Sequence, residues 1–193
     1  YLAACAQVRI YDISSKEKLL SYTWKQIDKW PAREECGTYK PDKLPVKVLH
    51  TRGFIEGLFI DGKYLYIVNH KYLVIANISK PERAKILCFF KQGSGRDVVV
   101  KGDYCYVSGG GIKVINIKNK KNPRLVTKLN LGGYNRPRRM DISGDYLYVA
   151  CDTDHRLDIV NIKRPANPQV IGSYVAETKE KFASFSAVAV KDN

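Results

Sequence analysis

Apolar and polar positions alternate along this chain in short runs, and the runs recur in a fixed order. One unit shows the pattern. Val98-Val99-Val100 meets the turn Lys101-Gly102-Asp103 and resumes as Tyr104 to Ser108. Gly109-Gly110-Gly111 then precedes Ile112 to Ile117, which alternates through Lys113. The polar stretch from Lys118 to Pro123 leads into Leu125-Val126-Thr127. Period-two patterning bounded by Gly, Asn and Pro predicts four short strands joined by three turns. Nothing in the unit has the i, i+3, i+4 spacing of a surface helix.

The unit is copied in tandem. Gly62-Lys63-Tyr64-Leu65-Tyr66, Gly102-Asp103-Tyr104-Cys105-Tyr106 and Gly144-Asp145-Tyr146-Leu147-Tyr148 are one motif, with the last tyrosines at 66, 106 and 148. Four strands per unit of about 42 residues is the content of a propeller blade. The expected fold is therefore all-β: a β-propeller of four-stranded antiparallel blades. The paired tyrosines share one face of the second strand, where large rings fill the gap between blades and their hydroxyls are expected to find main-chain partners. Asp12, Asn77, Asn116 and Asn161 close the third strand and are expected to bond amides in the turn that follows. Pro81, Pro123, Pro165 and Pro168 stiffen that turn without removing a ladder bond.

Leu73-Val74-Ile75-Ala76-Asn77, Ile112-Lys113-Val114-Ile115-Asn116 and Leu157-Asp158-Ile159-Val160-Asn161 give the third strands. With the Gly-Asp-Tyr strand before them and the Asn-Pro turn after, they resemble the LVIVD repeat family. The resemblance covers most of the chain outside residues 25–50. It implies a β-propeller, commonly of secreted or surface proteins, and carries over no catalytic residues.

Two features set the expected ring. Residues 1–14 match a second and a third strand, and 187–193 match a first strand that stops where the second should begin. Side by side, the termini complete a fourth blade, which also removes unpaired edges. A single domain of four blades over 1–193, the last shared by the two termini, is the expectation. A part of a larger propeller, and strand exchange between subunits through the termini, are the alternatives. The interval between the first two copies is longer, and the excess, Lys25 to His50, is expected to be an insertion or loop.

Charge then enters. Thirty-three Lys and Arg against nineteen Asp and Glu give +14. That balance favours an acidic protein or anionic polymer as partner, or else serves solubility. No run is long and apolar enough for a membrane span. The five cysteines at 5, 36, 88, 105 and 151 form no C-x-x-C pair, which leaves zinc ribbons and thioredoxin-like motifs unsupported. Leu2-Ala3-Ala4-Cys5 is similar to a lipoprotein cleavage box, but the repeat accounts for the same residues.

Basic residues recur at two places. Lys16, Lys18, Lys80, Arg83, Lys85, Lys118, Lys120, Lys121, Arg124, Lys163 and Arg164 belong to the turn after the third strand and should form one cationic rim. Arg52, Arg96, Arg136, Arg138 and Arg139 precede or open the innermost strands, at the channel mouth on the opposite face. They are the candidate anion- and partner-binding residues, because the planar guanidinium fork holds oxyanions bidentately. His50, His70 and His155 lack metal-ligand spacing, and no metal or cofactor is expected. No G-x-S-x-G, H-E-x-x-H or P-loop is present.

These observations point to a non-enzymatic interaction or structural module of a surface or extracellular assembly. An alternative is a hydrolase or lyase at the mouth, with the arginines clamping an anionic substrate and Asp97 or Asp141 as base. A nucleic-acid-associated protein is a further alternative; the tyrosines, however, are committed to the repeat.

Overall fold

The computed structural model describes residues 2–4, 7–10, 47–132, 136–152, 155–176 and 187–191. Among the described residues the regular elements are strands, apart from one short 3-10 helix at Pro81–Arg83. Sheet 1 holds β1 (Leu2–Ala4), β2 (Gln7–Ile10) and β3 (Lys47–His50). Sheet 2 holds β4 (Gly57–Asp61), β5 (Tyr64–Val68), β6 (Tyr72–Asn77) and β7 (Lys85–Lys91). Sheet 3 holds β8 (Val98–Lys101), β9 (Tyr104–Ser108), β10 (Ile112–Asn116) and β11 (Arg124–Leu129). Sheet 4 holds β12 (Pro137–Ser143), β13 (Tyr146–Cys151), β14 (Arg156–Asn161) and β15 (Gln169–Val175). Each four-stranded sheet is an antiparallel meander in chain order, as the repeat predicts.

The local causes repeat as well. Gly62, Gly102 and Gly144 take φ of 52°, 58° and 51° at the first position of two-residue hairpins, a conformation that side chains resist. Asn77, Asn116 and Asn161 accept the N–H two residues on, from Ser79, Lys118 and Lys163, at 2.9 to 3.0 Å. The expected turn chemistry is thus present in all three sheets. One feature the pattern did not predict is a register shift between the third and fourth strands, at Ile75/Ala76, Val114/Ile115 and Ile159/Val160. An extra residue there increases twist, so the outermost strand turns away from its neighbour.

The sheets stack, and alternate residues of each middle strand feed different cores. Leu65 and Ile67 of β5 meet Leu49 of β3. Tyr66 and Val68 of the same strand meet Val98, Cys105 and Val107 of sheet 3. Tyr106 and Val114 of sheet 3 then meet Leu147, Val149 and Val160 of sheet 4. A sheet covered on both faces needs continuous apolar strands, and Leu65 to Val68 are each fully buried. The order is therefore sheet 1, 2, 3, 4. The far face of sheet 4 is different: Tyr146 is 40% and Tyr174 61% exposed, whereas Tyr66 and Tyr106 are 0% and 1% exposed. Burial raises the phenol of Tyr106 to a pKa of about 12. The expected main-chain partner for these hydroxyls is not found at Tyr66, whose oxygen is buried with no hydrogen bond among the described residues.

Innermost strands approach closely. A Cβ on Gly57 would lie 2.8 Å from the Asp97 Cα, so the first residue of β4 admits no side chain without displacing sheet 3. Lys47–His50, expected inside the 25–50 insertion, pairs with β2 as the outer strand of sheet 1. The reason is that its polar-apolar alternation is too short to separate from the polar stretch before it. Residues 25–46 lie outside the described residues, as do Asp12, Cys5 and Cys36. Residues 187–191 are not in a ladder, yet the Val190 N–H donates to Asp141 Oδ2 of β12 at 2.8 Å.

Candidate functional site

Sheets 2, 3 and 4 are each entered by a segment that leaves the outermost strand of one sheet and reaches the innermost strand of the next. Such a segment runs over packed apolar surface, where an unpaired carbonyl is costly. In each case a buried or partly buried polar side chain of the following sheet holds it. Asn69 Nδ2, in a residue only 3% exposed, donates to the Thr51 carbonyl at 3.2 Å. Lys113 Nζ donates to the carbonyls of Ser94 and, at 2.9 Å, Gly109. Arg156 Nη2 donates to the Leu131 carbonyl at 2.9 Å and pairs with the fully buried Asp158 at 2.8 Å. Ser173 Oγ donates to the other oxygen of Asp158 at 2.6 Å. The same task is met by an amide, an ammonium and an ion pair.

These pins set the candidate arginines, three of which sit on the crossings. Arg52 follows Thr51, takes φ of 57°, and stacks over Phe89 of β7 with 4.5 Å from Cζ to the ring centre. That places its guanidinium against the outer strand of sheet 2. Arg96 follows Ser94 and is half-buried, its N–H bonded to the Ser108 carbonyl at 2.9 Å. Arg136 is exposed, and its carbonyl accepts the Asp152 N–H at 3.0 Å.

Arg138 and Arg139 open β12. Arg138 Nη1 pairs with Asp152 at 3.0 Å. Arg139 Nη1 reaches across the inner strands, donating to the carbonyls of Glu56 at 3.0 Å and Arg96 at 3.2 Å. It also lies 3.7 Å from Asp97 Oδ1, and 42% of its side chain remains exposed. Arg139 and Arg96 are thereby brought together where sheets 2, 3 and 4 converge, and Arg136 and Arg138 flank Asp152 beside them. Arg52 stands apart from this group.

The carboxylates at the mouth hold main chain. Asp97 Oδ2 accepts the Met140 N–H at 2.8 Å, which ties β12 to the start of β8. Burial raises the Asp97 pKa above its ordinary value, opposed by the N–H groups of Met140 and Val98 and by Arg139. Asp141 accepts the N–H groups of Ile142 and Val190. Glu56 is paired with His70 at 2.9 Å. Burial, with Lys128 nearby, lowers the Lys113 amine to about 8.

Sequence reading missed the pins, although a trace was visible. Lys113 and Asp158 interrupt the third-strand motif at the position where sheet 2 has Val74. A charge inside a run buried on both faces signals a specific partner. Cys88, Cys105 and Cys151 are unpaired, and burial raises the thiols of all three.

The LVIVD repeat profile matches at residues 53–83, 92–130 and 137–176. No curated protein matches the chain. Among solved structures, the computationally designed Ika8 protein aligns with a TM-score of 0.57 at 13% identity, over 75% of this chain and 42% of that one. The computationally designed Ika4 protein aligns with a TM-score of 0.54 at 14% identity, over 74% of this chain and 82% of that one. At such identities the likeness concerns the fold alone.

The raised Asp97 has a measurable consequence. The folded state binds this proton more tightly than the unfolded chain does, so stability falls as pH rises through the window above the ordinary carboxylate value of 3.8. Asp97→Asn removes that contribution, whatever constant offset it adds. In urea unfolding, wild-type stability minus that of Asp97→Asn should decline with rising pH across this window. A difference that is flat or rising contradicts the assignment.

Proposed function

Because the chain belongs to the LVIVD repeat family, a family of β-propeller repeats, we propose that it is a non-enzymatic interaction module. It contacts an acidic protein or anionic polymer through basic loops, as part of a surface or extracellular assembly. The observation that carries this reading is that Arg96 and Arg136 on the crossings and Arg138 and Arg139 at the start of β12 stand close together on main chain that a packed frame holds in place. Fixed cations lose little freedom on binding, which is how a rigid scaffold gains affinity. Arg52 extends the basic surface toward sheet 2. Asp97 and Asp141, which a hydrolase or lyase at this mouth would use, each hold main-chain N–H groups, and that favours binding over turnover.

The frame itself is proposed to be a four-bladed ring. Among the described residues sheet 1 has three strands where the others have four, and by the repeat the fourth would be the innermost. Residues 187–191 supply it, supported by the Val190 bond to Asp141, which parallels the bond from Met140 to Asp97 one sheet earlier. Closure would also cover the far face of sheet 4. Deleting 187–193 should then lower stability by roughly 3 kcal/mol, three or four main-chain bonds at about 1 kcal/mol each. Unchanged unfolding after the deletion would rule out the shared blade.

Retention on immobilised poly-glutamate tests the partner reading. The chain should be held at low ionic strength and released as salt rises. Arg96→Glu and Arg138→Glu together should release it at markedly lower salt. Retention that ignores both salt and these substitutions would refute the proposal.

A further inference from the structure

At the opposite end of the strands from the arginines, the turn between β10 and β11 faces sheet 2 across a notch of about 660 Å³. Lys85 of β7 and Lys118, Lys120 and Lys121 of the turn border it, with Tyr64 as a wall. Lys120 Nζ lies 5.3 Å from the centre of the Tyr64 ring and Lys63 Nζ 5.7 Å, so the ring gathers ammonium groups at one place. Asn77 and Asn119 also line the notch. Their side-chain oxygens already accept the N–H groups of Ser79 and Lys121, at 2.9 and 3.0 Å. Each therefore has an NH₂ donor left to offer. No carboxylate lines the notch, and among the described residues none of its four lysines is in an ion pair.

A merely basic rim does not explain this. At the corresponding place between sheets 3 and 4, the repeat puts Pro165 and Ala166 where Lys120 and Lys121 stand. Lys101 on that side is paired with Asp145 at 2.7 Å. The interface of sheets 3 and 4 thus lacks the donor-only notch found between sheets 2 and 3.

Its composition restricts the ligand. A cavity of this volume suits a small molecule. Ammonium groups act as point charges that suit phosphoryl oxygens, and four of them at one place favour the ligand with the greater charge, triphosphate over citrate. We propose that the notch between sheets 2 and 3 binds a small multivalent oxyanion of the oligophosphate class. The proposal deepens the reading that basic faces of this module contact anions, but uses the other face and other residues.

Calorimetric titration with inorganic triphosphate tests it, with citrate as the carboxylate comparison. Lys120→Gln/Lys121→Gln removes two charges at the notch, and Lys163→Gln/Arg164→Gln removes two at the corresponding turn of sheet 4. One triphosphate should bind per chain and citrate more weakly. The notch variant should lose about 10-fold or more in affinity, the loss of one or two charge-assisted bonds. The sheet 4 variant should change it by less than about 3-fold, as a rim charge screened by salt would. Unaltered unfolding midpoints show that both variants fold. Absence of triphosphate binding, citrate binding as tightly, or equal losses in the two variants would overturn the site. Poly-glutamate retention measured on the notch variant separates the two claims: retained binding leaves the arginine face standing if the notch fails.

Discussion

The constraint on which this structure depends is the fate of the main chain where it crosses from one sheet to the next. A four-stranded meander ends at its outer edge, and the following strand must begin at the centre. The crossing segment therefore passes over the end of a packed core with its carbonyls directed at protein. Asn69 and Lys113, both buried, and Arg156, partly buried, each meet one of those carbonyls. Burying a charge costs several kcal/mol per ion unless hydrogen bonds offset it. Lys113 has two carbonyls, and the Arg156–Asp158 pair has a serine and a carbonyl besides each other. Three chemically different donors, at three different positions of the repeat, meet the same need, so the requirement is for a donor and not for a residue type.

From this follows the arrangement at the mouth. Pinning Thr51 and Ser94 fixes where Arg52 and Arg96 begin, and Asp97 then fixes β12 through Met140. Arg139 closes the set by bonding two crossings at once. Its guanidinium therefore serves the frame first and meets solvent only on its remaining edge. The notch at the other end has the opposite character. Three of its lysines lie on a turn ordered by asparagine and the fourth opens β7; none is committed to a carboxylate among the described residues, so charge there is presented without being used.

Much of this was legible in the residues. The four-stranded meanders of sheets 2, 3 and 4, the tyrosine face and the asparagine turns follow from local alternation and turn chemistry, which act over a few positions. What escaped was set by distant contacts. The register shift at Ile75, Val114 and Ile159 reflects twist imposed by neighbouring sheets and has no composition of its own. Arg139 and Arg138 read alike as mouth arginines, yet one reaches carbonyls of two other sheets and the other a carboxylate of its own. Arg52 was grouped with them by chain position, while Phe89, an outer-strand ring, decides where it lies. Lys113 and Asp158 were visible as interruptions, and only the fold shows that a carbonyl waits opposite.

The role of the pins is tested most directly by hydrogen exchange at residues 92–97 in Lys113→Met against the wild type. With the ammonium gone, the crossing should open: exchange at Arg96 and its neighbours should quicken by at least about 10-fold, equivalent to a loss of about 1.4 kcal/mol. Strands β9 and β10 should keep most of their protection. Exchange unchanged across 92–97, with the chain still folded, would contradict the account.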